Sequence, residues 1–246
     1  MKLPINNIQR FSLHDGDGIR TTIFFMGCNI KCPWCANPEN ISILPHNGFG
    51  KYYTLGEIEQ QILLDKSFYI NGGGVTYSGG EPLLHADTIL PLLKNLKRQG
   101  INQCVETALF IKNENLKKTI NYIDTFIIDI KILTPDKCKK ILGGEISLFM
   151  QNLKTLFEAK KPIIFRMPLV NNYTYTQENI NMLLLLLKEF KPKLIEIFQV
   201  HNLANSKYKK LGLVSKEFFS PTSAEIIKLK NQIEGISVQC NILSVG

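Results

Sequence analysis

Three cysteines lie close together in one short segment, with the spacing C-x3-C-x2-C. Three thiolates on one loop suit an iron–sulfur cube, which needs four iron ligands and is usually held by four cysteines. The segment has no fourth cysteine, so one iron would stay open to bind another molecule. We therefore predict a [4Fe–4S] cluster on Cys28, Cys32 and Cys35, with the chemistry at its open iron.

A structural zinc ion is the alternative explanation for the same cysteines. Zinc in structural sites takes four ligands, often as two pairs of cysteines. A distant histidine or cysteine could complete such a site, so zinc stays open at this point. The other cysteines stand alone and are predicted to be small buried residues: Cys104, Cys138 and Cys240.

The length and composition indicate one globular domain. The chain has 246 residues, of which 44% are hydrophobic, enough for one large core. No apolar run approaches the roughly 20 residues that span a bilayer, and the N-terminus lacks the apolar stretch of a signal peptide. We therefore expect a cytoplasmic monomer without a membrane partner.

The net charge of +8 is carried by lysines scattered along the chain, singly or in pairs. A protein that reads nucleic acid more often concentrates its basic residues in one stripe with aromatic residues between them. The charge therefore predicts a solvated lysine-rich surface and no nucleic-acid partner. Attraction to an acidic protein stays open.

Short β-branched and aromatic runs alternate with longer helical patterns along the chain. The apolar strand runs are typical of a parallel sheet covered on both faces. The pattern gives six strand–helix units and a terminal strand, fewer than the eight units of a closed barrel. The predicted fold class is therefore α/β, a partial (β/α)6 TIM-like barrel in one domain over residues 1–246. The predicted strands are 21–25, 75–78, 103–106, 126–130, 163–168, 194–200 and 238–245, and the predicted helices are 55–64, 88–99, 113–120, 146–159, 176–189 and 223–233.

Polar or metal-binding residues follow or end each of the first six predicted strands. In parallel sheets and barrels, reactive groups collect at the carboxyl ends of the strands. We therefore expect these residues to form one functional rim. After the cysteine loop come Ser78-Gly79-Gly80-Glu81, Glu106-Thr107, Asp129-Ile130-Lys131, Arg166 and His201.

The segment Asp15-Gly16-Asp17-Gly18-Ile19-Arg20, followed by the cysteine loop, resembles the radical S-adenosylmethionine (SAM) superfamily. More narrowly, it is similar to the glycyl-radical-enzyme activating enzymes. The resemblance extends over nearly the whole chain and includes the Ser-Gly-Gly-Glu and Asp-Ile-Lys segments and residues 195–201.

This resemblance implies a radical SAM fold, a [4Fe–4S] cluster and SAM as cofactors. It implies that the reduced cluster cleaves SAM to a 5′-deoxyadenosyl radical, which takes a hydrogen atom from a glycine of a partner enzyme. The interval between Cys35 and Ser78 contains no cysteine, so no ferredoxin-like insertion is expected. An external flavodoxin or ferredoxin would then deliver the electron.

The resemblance also implies roles for the rim residues. Gly80 would contact the SAM amino group, Lys131 and Arg166 the SAM carboxylate, and His201 the ribose or the carboxylate. Asp129 would hold Lys131 in place, or bind a monovalent cation together with Glu106 and Thr107. Further contacts around SAM are expected from Trp34, Cys35, Ala36, Gly79, Glu81, Glu106, Asp129 and Ile130.

From the residues alone, structural roles stay open for these groups. The two glycines also fit a tight strand-to-helix turn, and Asp129 with Lys131 also fits an ion pair at a strand end. Ala36 stands where the pyruvate formate-lyase activating enzymes carry histidine, and Ala108-Leu109 where they carry Asn-Gly. These departures leave the identity of the partner enzyme open.

Two other functions remain at this stage. One is a radical SAM enzyme that acts on a different peptide or on a small molecule. The other is a non-catalytic protein that binds iron–sulfur or zinc and interacts with a partner. Cleavage of SAM separates both enzyme hypotheses from the non-catalytic one.

Overall fold

Nine strands form one mixed sheet in the computed structural model, which describes residues 1–243. The strands are β1 (Lys2–Ser12), β2 (Arg20–Phe25), β3 (Lys51–Thr54), β4 (Gly74–Gly79), β5 (Asn102–Thr107), β6 (Thr125–Asp129), β7 (Ile163–Leu169), β8 (Leu194–Gln199) and β9 (Cys240–Leu243). Their spatial order is β3-β1-β2-β4-β5-β6-β7-β8-β9. Pairing is parallel from β2 through β4 to β9, whereas β1 pairs antiparallel with β2 and with β3.

Helices follow most of the parallel strands and cover the sheet. They are α1 (Leu55–Leu63), α2 (Ala86–Arg98), α3 (Asn113–Thr119), α4 (Pro135–Lys137), α5 (Ile146–Glu158), α6 (Gln177–Phe190), α7 (Asn205–Lys210) and α8 (Ser223–Glu234). A π-helical turn, Cys138–Leu142, continues α4. None of the helices in the described part of the chain combines the length and the apolar character needed to cross a bilayer.

The predicted fold class is confirmed: the chain forms a partial α/β barrel. Each predicted strand and helix is present within about three residues of its expected bounds. Strand β9 is shorter than predicted, and residues 244–245 of that prediction lie outside the described residues. Sequence reasoning missed β1, β3 and α7. Among the described strands, no pairing joins β9 to β3, so the barrel is open on one side.

The core lies between the strands and their covering helices. All seven residues of β7 are buried, and α2 buries a stripe of apolar side chains at helical spacing. Burying each such leucine or isoleucine contributes roughly 1.5–3 kcal/mol of hydrophobic stabilisation. The three lone cysteines, Cys104, Cys138 and Cys240, are buried as predicted.

Arg20 gives the Asp-Gly-x-Gly-Ile-Arg segment a structural role. Its side chain is fully buried at the start of β2 and donates to the carbonyl oxygens of Asp17 at 2.9 Å and Gly72 at 2.8 Å. A Cβ at Gly18 would lie 2.4 Å from the backbone nitrogen of Gly73, so this crossing requires glycine. The second half of the segment thus packs against the residues that precede β4, at the end of the sheet opposite the predicted rim.

Candidate functional site

The three clustered cysteines lie on the loop after β2, which we call the cluster loop (residues 27–37). Backbone hydrogen bonds tie it to other segments: Gly27 N donates to Asn40 O at 2.8 Å, Cys28 N donates to Ile41 O at 3.2 Å, and Lys31 N donates to Leu142 O at 2.9 Å. Gly27 has a φ of +99°, a conformation that glycine adopts without strain, and the chain leaves the strand there. The loop lines a cavity of about 470 Å³ with Cys28, Cys32 and Cys35.

Burial controls the ionisation of these thiols. It raises the pKa of Cys28 to about 11 and that of Cys32 to about 12, and it also raises the pKa of Cys35. The Lys131 ammonium group acts in the opposite direction and lowers all three pKa values. Because metals bind the thiolate, filling this site releases protons, and Lys131 favours that step.

The chemistry of the donor set fits an iron–sulfur cluster. Cysteine thiolates are the ligands that such clusters use, and three of them face one cavity here. Nowhere in residues 1–243 do three His, Cys, Asp or Glu side chains gather closely enough to hold a single ion. A [4Fe–4S] cluster does not need its ligands to approach a single point, because each thiolate binds a different iron atom. Among the described residues that line the cavity there is no fourth cysteine.

The two glycines after β4 are required by close packing against the cluster loop. Gly79 has a φ of +104°, and a Cβ there would lie 2.5 Å from Phe25 N. A Cβ at Gly80 would lie 2.2 Å from Gly27 O. Both glycines also line the cavity, so their backbone faces the cavity on one side and the cluster loop on the other.

The Glu81 carboxylate lies in a buried turn and is not among the groups that line the cavity. It accepts hydrogen bonds from Thr107 Oγ1 at 2.8 and 2.9 Å, from Ala108 N at 3.1 Å and from Leu83 N at 3.2 Å. Burial raises the pKa of Glu81 to about 7, although these hydrogen bonds lower it. Glu81 therefore connects the turn after β4 to the end of β5.

Asp129 and Lys131 form an ion pair that lines the cavity, with 3.3 Å between Oδ2 and Nζ. Burial opposes the charge on Lys131, but the Asp129 carboxylate and the cysteines raise its pKa above the ordinary value. Lys131 is therefore a fixed positive charge beside the thiols. Ile130 between them is fully buried, and its backbone nitrogen donates to Arg166 O at 2.7 Å. The Ile130 side chain does not line the cavity.

Arg166 on β7 connects one carboxylate on β5 with another on β8. Its Nη1 lies 2.8 Å from Glu106 Oε1, and its Nη2 lies 2.8 Å from Glu196 Oε2. Nη2 also donates to His14 O at 2.9 Å. Burial opposes its charge, but both glutamates raise the pKa of Arg166 above its ordinary value. The guanidinium group thereby joins three elements of the cavity wall.

Three further predicted residues line the cavity: Trp34, Ala36 and His201. The Trp34 ring packs against Tyr173, with 5.2 Å between the ring centroids. His201 Nδ1 is buried and has no hydrogen-bond partner among the described residues. Buried polar atoms are normally paired, so this unpartnered nitrogen on a cavity-lining residue is an exception that a polar molecule bound in the cavity would explain.

The residues expected to hold a monovalent cation are already engaged by other protein groups. Glu106 pairs with Arg166 and accepts from Ser78, Thr107 donates to Glu81, and Asp129 pairs with Lys131. Thr107 is not among the cavity-lining groups. The three side chains therefore do not form a ready-made cation site.

Sequence reasoning missed several residues of the site. Glu196 lies between Ile195 and Ile197 on β8, and this alternation could have indicated that it faces the barrel interior. His14 and Asp15 also line the cavity. Both belong to the loop after β1, a strand that was itself missed.

Comparison with known proteins gives the family. The model of the radical SAM superfamily matches residues 22–185. The pyruvate formate-lyase 2-activating enzyme of Escherichia coli (strain K12) is 30% identical, covering 97% of this chain and 91% of that protein. The indoleacetate decarboxylase activating enzyme of Tractidigestivibacter scatoligenes is 28% identical, covering 98% of each chain.

A solved structure supports the fold. The crystal structure of a domain of pyruvate-formate lyase-activating enzyme from Bacteroides vulgatus ATCC 8482 has a TM-score of 0.59 and 22% sequence identity, covering 70% of this chain and 99% of that chain. The cluster loop, the cavity and the sequence relatives all point to the same family. The chain belongs to the radical SAM superfamily and, within it, to the glycyl-radical-enzyme activating enzymes.

Proposed function

We propose that this protein uses SAM to install a glycyl radical on a partner enzyme. The observation that carries the proposal is one cavity lined by three cysteines, a charged lysine and an unpartnered histidine. The cysteines supply the cluster ligands, and the other two groups suit a zwitterionic molecule. Relatives of this chain are named as activating enzymes of several different enzymes.

Cys28, Cys32 and Cys35 would hold the [4Fe–4S] cluster of the superfamily. When bound and reduced, this cluster supplies one electron for cleavage of SAM to a 5′-deoxyadenosyl radical. The protein's part is to gather three half-buried thiols and to place a cation beside them. Lys131 is that cation, and its charge offsets part of the rise in the thiol pKa values that burial causes.

The cavity wall offers complementary groups for the parts of SAM. Lys131 Nζ would bind the carboxylate, and the backbone of Gly79 and Gly80 would receive the amino group. His201 Nδ1 would bind the ribose or the carboxylate, and Trp34 would shield the reacting centre from water. Arg166 would act through its ion pairs, since Glu106 and Glu196 occupy its nitrogens.

Other parts of the proposal concern partners. A flavodoxin or ferredoxin is proposed as the electron donor, and the enzyme is proposed to act as a cytoplasmic monomer.

A monovalent cation at Asp129 would require this carboxylate to give up its ion pair with Lys131 when SAM binds. Comparing SAM cleavage in sodium, potassium and large organic cation buffers tests that requirement.

The principal test is anaerobic reconstitution with iron and sulfide. We expect about four irons per chain, formation of 5′-deoxyadenosine from SAM with dithionite, and a glycyl radical signal on a co-expressed candidate partner. The triple variant Cys28→Ala/Cys32→Ala/Cys35→Ala is the control for all three readouts. Absence of SAM cleavage would refute the enzyme, whereas cleavage without a radical on any candidate partner would favour a different substrate.

A further inference from the structure

Helix α7 lies against the second half of the cluster loop. Lys207 Nζ lies 3.1 Å from Ala36 O, 2.7 Å from Asn37 Oδ1 and 2.8 Å from Glu39 Oε1. One ammonium group thus contacts three polar groups within residues 36–39, at the end of the cluster loop. These contacts bridge about 170 residues of sequence.

Glu39 makes this contact more than a surface ion pair. The Glu39 carboxylate is only 2% exposed, and among the described residues Lys207 is its one salt-bridge partner. A buried carboxylate is costly unless it is paired. Asn6 Nδ2 also donates to Glu39 at 3.2 Å, which fixes the carboxylate from the side of β1. Lys207 therefore supplies the counter-charge for a buried carboxylate at the base of the loop, whose Oε2 has no hydrogen-bond partner among the described residues.

Tyr208 makes a second contact, between the last two cysteines. Its hydroxyl oxygen lies 3.3 Å from Pro33 O and 3.3 Å from Cys35 O, so its single O–H can donate to either carbonyl. Lys207 and Tyr208 thus engage backbone carbonyls from residue 33 to residue 36. The first half of the loop has a separate anchor in the hydrogen bond from Lys31 N to Leu142 O.

We propose that Lys207 and Tyr208 are positioning residues that hold the second half of the cluster loop in the conformation that receives the cluster. This inference rests on the proposed function, because it assumes that the loop binds iron. It assigns a task to α7, an element that no sequence motif indicated. The two side chains act on the ligands through the backbone and do not contact the reacting atoms.

The test compares four reconstituted variants, made anaerobically. Lys207→Met removes the charge and the hydrogen bonds, Lys207→Arg keeps a cation, and Tyr208→Phe removes one hydroxyl. Lys209→Met is the matched control, since Lys209 lies on the same helix, is exposed, and makes no side-chain hydrogen bond or salt bridge within residues 1–243. The readouts are the rate of iron loss to a chelator and the electron paramagnetic resonance spectrum of the reduced cluster.

We expect Lys207→Met to lose iron about 10- to 100-fold faster, as is typical when groups that orient metal ligands are removed. Tyr208→Phe should show a smaller increase, Lys207→Arg should recover part of the loss, and Lys209→Met should match the parent protein. An altered spectrum in Lys207→Met and Tyr208→Phe would show that the ligands have moved. Thermal unfolding of each apo variant identifies any that fail to fold, and Tyr208→Phe then carries the test.

Equal rates of iron loss and unchanged spectra in Lys207→Met and Tyr208→Phe would overturn this inference. That result differs from failure of the proposed function, in which the parent protein itself would bind no cluster or leave SAM intact. A loss of iron that Lys209→Met shares would also contradict it, because that outcome would indicate a general effect of charge on the helix.

Discussion

Arg166 Nη1 lies 2.8 Å from Glu106 Oε1 in the wall of the cavity, and the same guanidinium group is shared with Glu196. One buried cation thus serves two carboxylates. The pair also links β5 to β7 across β6, which lies between them in the sheet. Removing the cation would leave two half-buried carboxylates without their common partner.

We therefore predict that Arg166→Met lowers the free energy of unfolding by about 3–5 kcal/mol, as is typical when one partner of a buried ion pair is removed. Denaturant unfolding of the apo protein measures it. Adding Glu106→Gln and Glu196→Gln to Arg166→Met should recover part of the loss, because no uncompensated charge then remains. A loss below about 1 kcal/mol would instead match an exposed pair and contradict this account.

The location of the site could be predicted from the sequence, because it depends on where the parallel strands end. In a parallel sheet the carboxyl ends of all strands lie at the same edge. Once the strands are predicted, the residues that follow them are therefore expected to lie close together. The cysteines, Lys131 and His201 line one cavity, which is the arrangement that this reasoning expects. Their positions follow from local patterns of apolar residues, which a single sequence displays.

The connections between these residues could not be predicted in the same way. Glu81 lies in a rim segment but points to Thr107, because turn geometry decides the direction of its side chain. The pairing of Glu106 with Arg166 joins residues 60 positions apart. The contact of Lys207 with the cluster loop depends on how α7 packs, and a six-residue helix without an apolar stripe leaves little signal.

Gly80 offers a sharp test of the packing beneath the cluster loop. A Cβ there would lie 2.2 Å from Gly27 O and 2.8 Å from Asn40 O, and both are backbone atoms that a side-chain movement cannot relieve. We predict that Gly80→Ala destabilises the apo protein by about 1–3 kcal/mol, in the range of overpacked sites. It should also reduce the iron content after reconstitution.

The matched control for this variant is Gly56→Ala. Gly56 lies in α1, and a Cβ there meets nothing within 4 Å. Because alanine is favoured over glycine inside a helix, Gly56→Ala should stabilise the protein by about 0.5–1 kcal/mol. Equal effects of the two substitutions would show that the close approach at Gly80 does not constrain the turn.

Glu81 makes stability depend on pH. Burial raises the pKa of Glu81 to about 7 in the folded protein, from its ordinary value of 4.5. The folded state therefore binds more protons than the unfolded state between these values, and stability falls as the pH rises through this window. The contribution is fully present below pH 4.5 and is lost as the pH rises through about 7, a change on the order of 3 kcal/mol.

The measurement compares the parent protein with Glu81→Gln, which cannot ionise. Urea unfolding of both apo proteins from pH 4.5 to pH 8 gives the difference in their free energies of unfolding. We expect the parent protein to lose stability relative to Glu81→Gln as the pH rises from 4.5 to about 7, the two pKa values of Glu81. Parallel pH profiles would show that Glu81 ionises as freely in the folded protein as in the unfolded chain.

Lys131 is expected to have two separable effects, because its ammonium group is buried beside Asp129 and beside the three thiols. Lys131→Met should raise the pKa of each cysteine and so slow cluster assembly most strongly at low pH. Once loaded, the variant should bind SAM about 10- to 100-fold more weakly, since a hydrogen bond to a charged group contributes about 1.5–3 kcal/mol.

Equilibrium binding of SAM to the reconstituted protein measures the second effect, and the pH dependence of iron incorporation measures the first. Lys140→Met is the control, because Lys140 is exposed and makes no salt bridge among the described residues. If Lys131 serves only as a structural partner of Asp129, then Asp129→Asn/Lys131→Met should restore SAM affinity. If Lys131 binds the SAM carboxylate, the double variant should stay as weak as Lys131→Met, because neutralising Asp129 supplies no cation for the ligand.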